Sequence, residues 1–266
     1  NITIMDNHSC ELNLKNVNIV SGNSKPTITV GEYARLVLNV SKTNKLAYAG
    51  IYVPMGSQFE LKGKGTLMLD CYATYGIGIG NDYEHSYGDI TIDMDGSLEI
   101  ICNGTETVAI GGGFNDDDSD IKLVSGNIKV DMHTHNGIGV GSFNGDANIE
   151  ISDNCKLNMA LAGKRITGIG SFTGISTIGT SADITMSCSS AEAVGIGVIE
   201  DGEGSILVRK GKITAKMNAA KQACIGAIGG SVNTKIMNAD IHIDSEGDYA
   251  VGIGDSEGSG NVFIMD

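Results

Sequence analysis

The sequence predicts an all-β chain wound as a right-handed parallel β-helix, a solenoid of about eight coils of roughly 29 residues with three short strands per coil. Three observations carry this expectation. A small word built on Gly-Ile-Gly recurs eight times at a near-fixed period. Between its copies, apolar residues alternate with polar ones at constant offsets, the period-2 signature of half-buried strands. The composition is glycine-rich and proline-poor, with 38 Gly, 2 Pro and no Trp, and long helical periodicity is missing.

The elements follow in chain order. Residues 1–45 alternate without the glycine word, as in Ile2/Ile4, Leu12/Leu14, Ile28/Val30 and Leu36/Leu38, which predicts one or two atypical coils. Residues 46–266 form the regular part, in one domain with the rest. The central isoleucines of the word are Ile51, Ile77, Ile110, Ile138, Ile169, Ile196, Ile225 and Ile253, spaced 26, 33, 28, 31, 27, 29 and 28 apart. A second strand reads Ile90/Ile92, Ile121/Leu123, Ile149/Ile151, Ile206/Val208 and Val262/Ile264. A third gives three columns, beginning Leu67-Leu98-Ile128, Leu69-Ile100-Val130 and Cys71-Cys102-Met132. Gly63-Lys64-Gly65, Asp95-Gly96 and Ser125-Gly126 supply the turns between them. Crossover chirality favours the right-handed hand.

These repeats resemble the Gly-Ile-Gly repeat proteins of bacterial cell surfaces, especially those of gut-dwelling species, whose architecture is similar to the pectate-lyase-like superfamily. The resemblance covers roughly residues 46–266. It implies the fold and a cell-surface or extracellular location. Because that superfamily includes lyases, hydrolases, adhesins and phage tail proteins, it implies no single activity.

The net charge of −14 argues against nucleic acid, which needs clustered Lys and Arg, and only three arginines exist. No apolar run is long enough to span a membrane and no signal peptide is present. The chain starts at Asn1, so a processed or truncated piece is expected. The last residues, Val262 to Asp266, read as a strand in mid-coil, so the chain is expected to continue into neighbouring domains or to self-associate. The six cysteines include no CxxC pair and are expected to be free, stacked thiols.

Candidate sites come from two features. If each central isoleucine points inward, its flanking glycines, among them Gly139 and Gly170, point outward. Glycine in a strand costs roughly 0.5–1 kcal/mol relative to alanine. A stripe of them therefore means either a tight corner or a flat, side-chain-free face for a polysaccharide or a second sheet. The loops after the word vary most. They bring Asp82, Glu84, Asp116, Asp117, Asp118 and Asp146 to one edge, a set of hard oxygens suited to calcium, with solvated surface charge as the plainer reading. Phe114, Phe143 and Phe172 occupy successive copies of this loop. Such a ladder is ordinary packing if buried; if exposed, it is a platform for sugar rings, with Tyr83 beside it.

Catalytic patterns are weak. Asp131, His133 and His135 alternate along one strand but lack a fourth ligand. Lys164-Arg165 and Arg209-Lys210 face no evident acid cluster, and no nucleophile elbow or phosphate loop occurs. The expected function is therefore a non-enzymatic extracellular β-helix module for adhesion or carbohydrate binding. The alternatives are a pectate-lyase-like enzyme acting on acidic polysaccharide, with calcium, and a structural spacer of a larger surface protein.

Overall fold

The computed structural model describes residues 1–22, 25–115 and 118–265 and is all-β. It is a parallel β-solenoid of about nine turns. Three parallel ladders run its length. The first stacks Ile2, Ile28, Ile51, Ile79, Ile110, Val140, Ile169, Ile196, Ile225 and Ile253. The second stacks Cys10, Leu36, Phe59, Ile90, Ile121, Ile149, Ile178, Ile206, Thr234 and Val262. The third stacks Leu67, Leu98, Ile128, Leu157, Ile184, Ile213 and Ile241, the column expected from the sequence. Residues 1–48 supply two coils that pair in register with the rest. Strands Asp89–Asn115, Asp120–Gly145, Asp183–Val208 and Gly211–Met237 run through the corners, so most of a coil is one extended segment.

Two coils depart from the expected register. Gly76-Ile77-Gly78-Ile79-Gly80 contains the word twice, Gly137-Ile138-Gly139-Val140-Gly141 follows it with the variant Gly-Val-Gly, and the expected anchor is the first apolar residue of each. The structure pairs Ile79, not Ile77, with Ile51 and Ile110, and Val140, not Ile138, with Ile110 and Ile169. The corrected spacing from Ile51 onward lies between 27 and 31 residues. That is the regularity stacked coils require, since every extra residue must be looped out.

The glycines do not form an outward face. In the column Gly78, Ala109, Gly139, Gly168, Gly195, Cys224, both non-glycine members are fully buried in the main core. A Cβ on Gly139 would lie 2.5 Å from the Gly168 carbonyl oxygen and 3.0 Å from the Met159 sulfur. The alternation expected from a flat strand breaks here because the chain turns a corner. Ala109 and Ile110 are successive residues, yet both face the main core. Two positions on, Gly80, Gly111, Gly141, Gly170, Gly197, Gly226 and Gly254 hold φ between +120° and +140°. Side-chain-bearing residues rarely adopt that conformation. The corner reading holds, and Gly139 and Gly170 are parts of it rather than a ligand face.

This corner is re-entrant. Side chains on the outside before it (Val108, Ile138, Val194, Ala223) and after it (Phe143, Phe172, Ile199, Ile228) converge in a second hydrophobic cluster, separate from the main core. The outside of the rod thus carries a notch packed with apolar side chains.

All six cysteines are free, and Cys71 and Cys102 stack in register. The Cys71 thiol donates to the Ile77 carbonyl at 3.0 Å. No helix of the described residues is long and apolar enough to cross a membrane.

Candidate functional site

The notch is lined along its length by one row: Pro26, Ala49, Ile77, Val108, Ile138, Thr167, Val194, Ala223 and Val251. Its later members pair directly, and Pro26 and Ala49 sit two residues before Ile28 and Ile51. From Val108 onward, the row belongs to or packs against the second cluster, Thr167 excepted. Before Val108 no described residue of the second cluster covers it. There Pro26, Ala49 and Ile77 are only half-buried, and a cavity of about 140 Å³ opens, walled also by Tyr52, Tyr75, Ile51, Ala73 and Asp82.

Two tyrosines and one acid give this cavity its chemistry. Tyr75 is 53% exposed and its ring stacks on Tyr83, with centroids 5.8 Å apart and planes 22° apart. Tyr52 is half-buried. Burial pushes its phenol above the ordinary range, and nearby Asp82 and Glu32 add to this while a hydrogen bond with Asn81 opposes it. Tyr52 therefore stays a neutral hydroxyl at physiological pH. Asp82 is the only charged wall residue among the described residues. It is held by a short loop, its Oδ1 accepting the Glu84 amide at 3.0 Å and contacting His85 Nδ1. The Asp82 amide donates to Asn81 Oδ1 at 2.7 Å.

The aromatic residues named from the sequence divide. Tyr83 leads inward from the cavity and meets Phe143 edge-on at 5.1 Å, and Phe143 meets Phe172 at 4.8 Å and 87°. Phe143 and Phe172 are 2% and 6% exposed, so they pack the notch and offer no sugar platform. The Arg165 guanidinium sits 5.0 Å over the Phe172 ring and closes that line. Phe114 is out of step. It pairs with Asn144, so Gly113 stands beside Phe143 in the ladder, and Tyr83 reaches over Gly113. Sequence reasoning missed Tyr52 and Tyr75. A signal was available: seven of the eight tyrosines lie between residues 33 and 87.

The acids named as calcium ligands are spread out. Asp116 and Asp117 lie outside the described residues. Asp82 braces its loop, Glu84 and Asp118 are exposed, and Asp146 accepts the Ile175 amide at 3.0 Å as a turn brace. No group of three or more His, Cys, Asp or Glu side chains among the described residues is placed to hold a metal ion. His133 lies 3.4 Å from Asp131, and the two form a surface pair.

Of the basic residues weighed as catalytic bases, Arg165, Arg209 and Lys210 are engaged. Arg165 pairs with Glu192 at 3.0 Å and with Glu200. Arg209 pairs with Glu150 at 2.7 Å, and Lys210 with Asp153, each reaching across an intervening coil. Lys210 holds the Asp153 carboxyl below its ordinary range. Arg35 pairs with Glu60 at 2.9 Å. A charge bound this way is poorly placed to take a proton from substrate.

A shallow trough of about 420 Å³ crosses the outer face of the third ladder. Small residues (Asn158, Ala160, Thr185, Ser187) make its floor, and Lys129, Lys216, His242 and Asp244 edge it. It is larger but more open than the tyrosine cavity. Comparison with known proteins finds no matching family model, no similar curated protein and no similar solved structure.

Proposed function

We propose that this chain is a non-enzymatic, glycan-binding β-helix module of an extracellular or bacterial-surface protein. The observation that carries this reading is the cavity at the open end of the notch. It places two tyrosine rings, one well exposed, and a braced carboxylate on a rigid ladder. Sugar rings present apolar faces to aromatic side chains and hydroxyls to acids and amides, and such sites are small and pre-formed. The tyrosines Tyr33, Tyr48 and Tyr72, each about half exposed or more, extend aromatic surface over the same third of the rod. Tyr48 and Tyr72 form a pair with centroids 6.0 Å apart.

The reading of an enzyme on acidic polysaccharide has one point in its favour, the lysines edging the trough. Against it, the three arginines and Lys210 are held in ion pairs. A glycan-array screen with and without calcium tests the proposal. The expected result is binding by the wild-type chain that is lost in Tyr75→Ala while melting is unchanged. Calcium-dependent binding would return the loop acids to the site. No binding to any glycan in either buffer would overturn the proposal and leave the spacer reading.

A further inference from the structure

The wall of the tyrosine cavity also carries information about charge. Among the described residues, its lining holds one carboxylate, Asp82, and no Lys, Arg or His. Glu32 adds a second negative field at Tyr52. The remaining lining is two tyrosine rings and apolar or glycine positions. Around it the chain carries a net charge of −14. A uronate or sulfated sugar entering here would bring its anion against Asp82 with no cation in the described lining to offset it, an arrangement that costs free energy wherever water is displaced. A cation would meet the opposite situation: a carboxylate to pair with and aromatic faces whose quadrupoles attract positive charge. At about 140 Å³, the cavity lies below the range of about 300–1,000 Å³ usual for sites that enclose a drug-sized ligand. It suits one terminal residue rather than a length of chain.

Resting on the glycan-binding reading, we infer that the cavity takes a single terminal amino sugar, its ammonium group at Asp82 and its ring face on Tyr75. N-acetylation of the same sugar removes the charge and adds bulk, and both changes work against this site.

The test is calorimetric titration of the whole chain with three probes of equal length: the β-1,4-linked trimers of glucosamine and N-acetylglucosamine and the α-1,4-linked trimer of galacturonate. Glucosamine trimer is expected to bind at least about five-fold more tightly than its N-acetylated form, the scale of one partly exposed charge pair with an aromatic contribution, and added salt should narrow the gap. Galacturonate trimer should not bind. Asp82→Asn retains an oxygen for the Glu84 amide and should abolish the five-fold preference. Tyr75→Ala should lose binding of both glucosamine probes. Equal binding of the two glucosamine probes, a preference that survives Asp82→Asn, or Tyr75-dependent binding of galacturonate would overturn the inference and leave glycan binding standing. Binding of none of the three, together with a blank glycan array, would remove the glycan reading itself.

Discussion

The same notch runs the length of the rod, yet its two stretches are finished differently. In the middle and toward the C-terminal end, Phe143, Phe172, Ile199 and Ile228 fold over the row Val108, Ile138, Val194, Ala223 and seal it. At the N-terminal end the row continues as Pro26, Ala49 and Ile77 with no such cover, and a cavity edged by Tyr52 and Tyr75 takes its place. Backbone and corner are common to both, because Gly80 in the open stretch and Gly141 in the sealed one hold φ of +140° and +138°. The difference lies in one outward position per coil. In a repeat protein, neighbouring coils are internal controls for one another. Where the sealed coils show what stability requires, the unsealed coils show where that requirement has been relaxed.

The largest expected effect is on the sealed stretch. Phe143 is 2% exposed, and its ring meets both Tyr83 and Phe172. Phe143→Ala removes the central ring of the line and is expected to cost about 3–5 kcal/mol, read as a shift of the denaturation midpoint at constant slope. Tyr75→Ala, in the open stretch, should stay within about 0.5 kcal/mol, as surface changes usually do. Equal costs at the two positions would mean that the open end is packed as tightly as the sealed one, and the contrast would fail.

The corner should be costly to alter in either stretch. In Gly139→Val, the new side chain would meet the Gly168 carbonyl oxygen and the Met159 sulfur, so a loss of about 1–3 kcal/mol is expected. Gly141→Ala adds strain at φ +138°, again about 1–3 kcal/mol, before its clash with the Gly170 carbonyl is counted. Thermal melting of both variants measures this, and unchanged melting of both would mean that the corner tolerates side chains.

Much of the architecture was legible because stacking repeats each inward choice many times. The Leu67, Leu69 and Cys71 columns align from sequence alone, since each coil restates them about 29 residues later. The first ladder differs from the expectation at Ile77 and Ile138 because Gly-Ile-Gly-Ile-Gly and Gly-Ile-Gly-Val-Gly each offer two apolar anchors of similar chemistry. Only the corner, which sends Ile77 outward and Ile79 inward, tells them apart. The same corner explains why the glycine column beside Ile110 faces the core, since period-2 reasoning assumes a flat strand. The site was harder still. Phe114, Phe143 and Phe172 stood out as a ladder, but one register step takes Phe114 out of the column and leaves the other two buried. Tyr52 and Tyr75 line one cavity because their coils are neighbours, although they occupy unrelated places in the repeat, and no periodic search joins such a pair.

A smaller effect, per pH unit, tests how dry the sealed coils are. Burial pushes the thiols of Cys155, Cys188 and Cys224 up to about 12, from an ordinary value of 9.0. The folded state therefore keeps them neutral while the unfolded chain ionises near pH 9. Their contribution is whole below pH 9 and is lost as pH rises from there toward 12. The limiting slope is about 1.4 kcal/mol per pH unit for each thiol. Denaturant titrations from pH 8 to 11 should show this loss. A variant with all three cysteines replaced by alanine should lose stability less steeply over that interval, and an equal slope would place these thiols in contact with water.

The smallest effect on stability carries the most information about the open end. Ala49 lines the cavity and is half-buried. Ala49→Leu would place a larger apolar side chain at the row position that the sealed coils fill with Val108, Ile138 and Val194. If the cavity is a gap in an otherwise filled notch, the larger side chain gains burial, roughly 0.8 kcal/mol per added methylene at full burial. Partial exposure and lost rotamer freedom reduce that, so the net change should be neutral or stabilising by less than about 1 kcal/mol. The same substitution should abolish glycan binding by occupying the space beside Tyr75, without touching Tyr75, Asp82 or the loop that braces them. Stability and binding would then move in opposite directions at a single position, as expected where packing has been left incomplete to admit a ligand. Thermal melting and calorimetric titration of one purified variant measure both. A destabilised Ala49→Leu chain would mean that the cavity is too tight to be a vacancy, and a stable one that still bound glycan would move the binding site away from the notch.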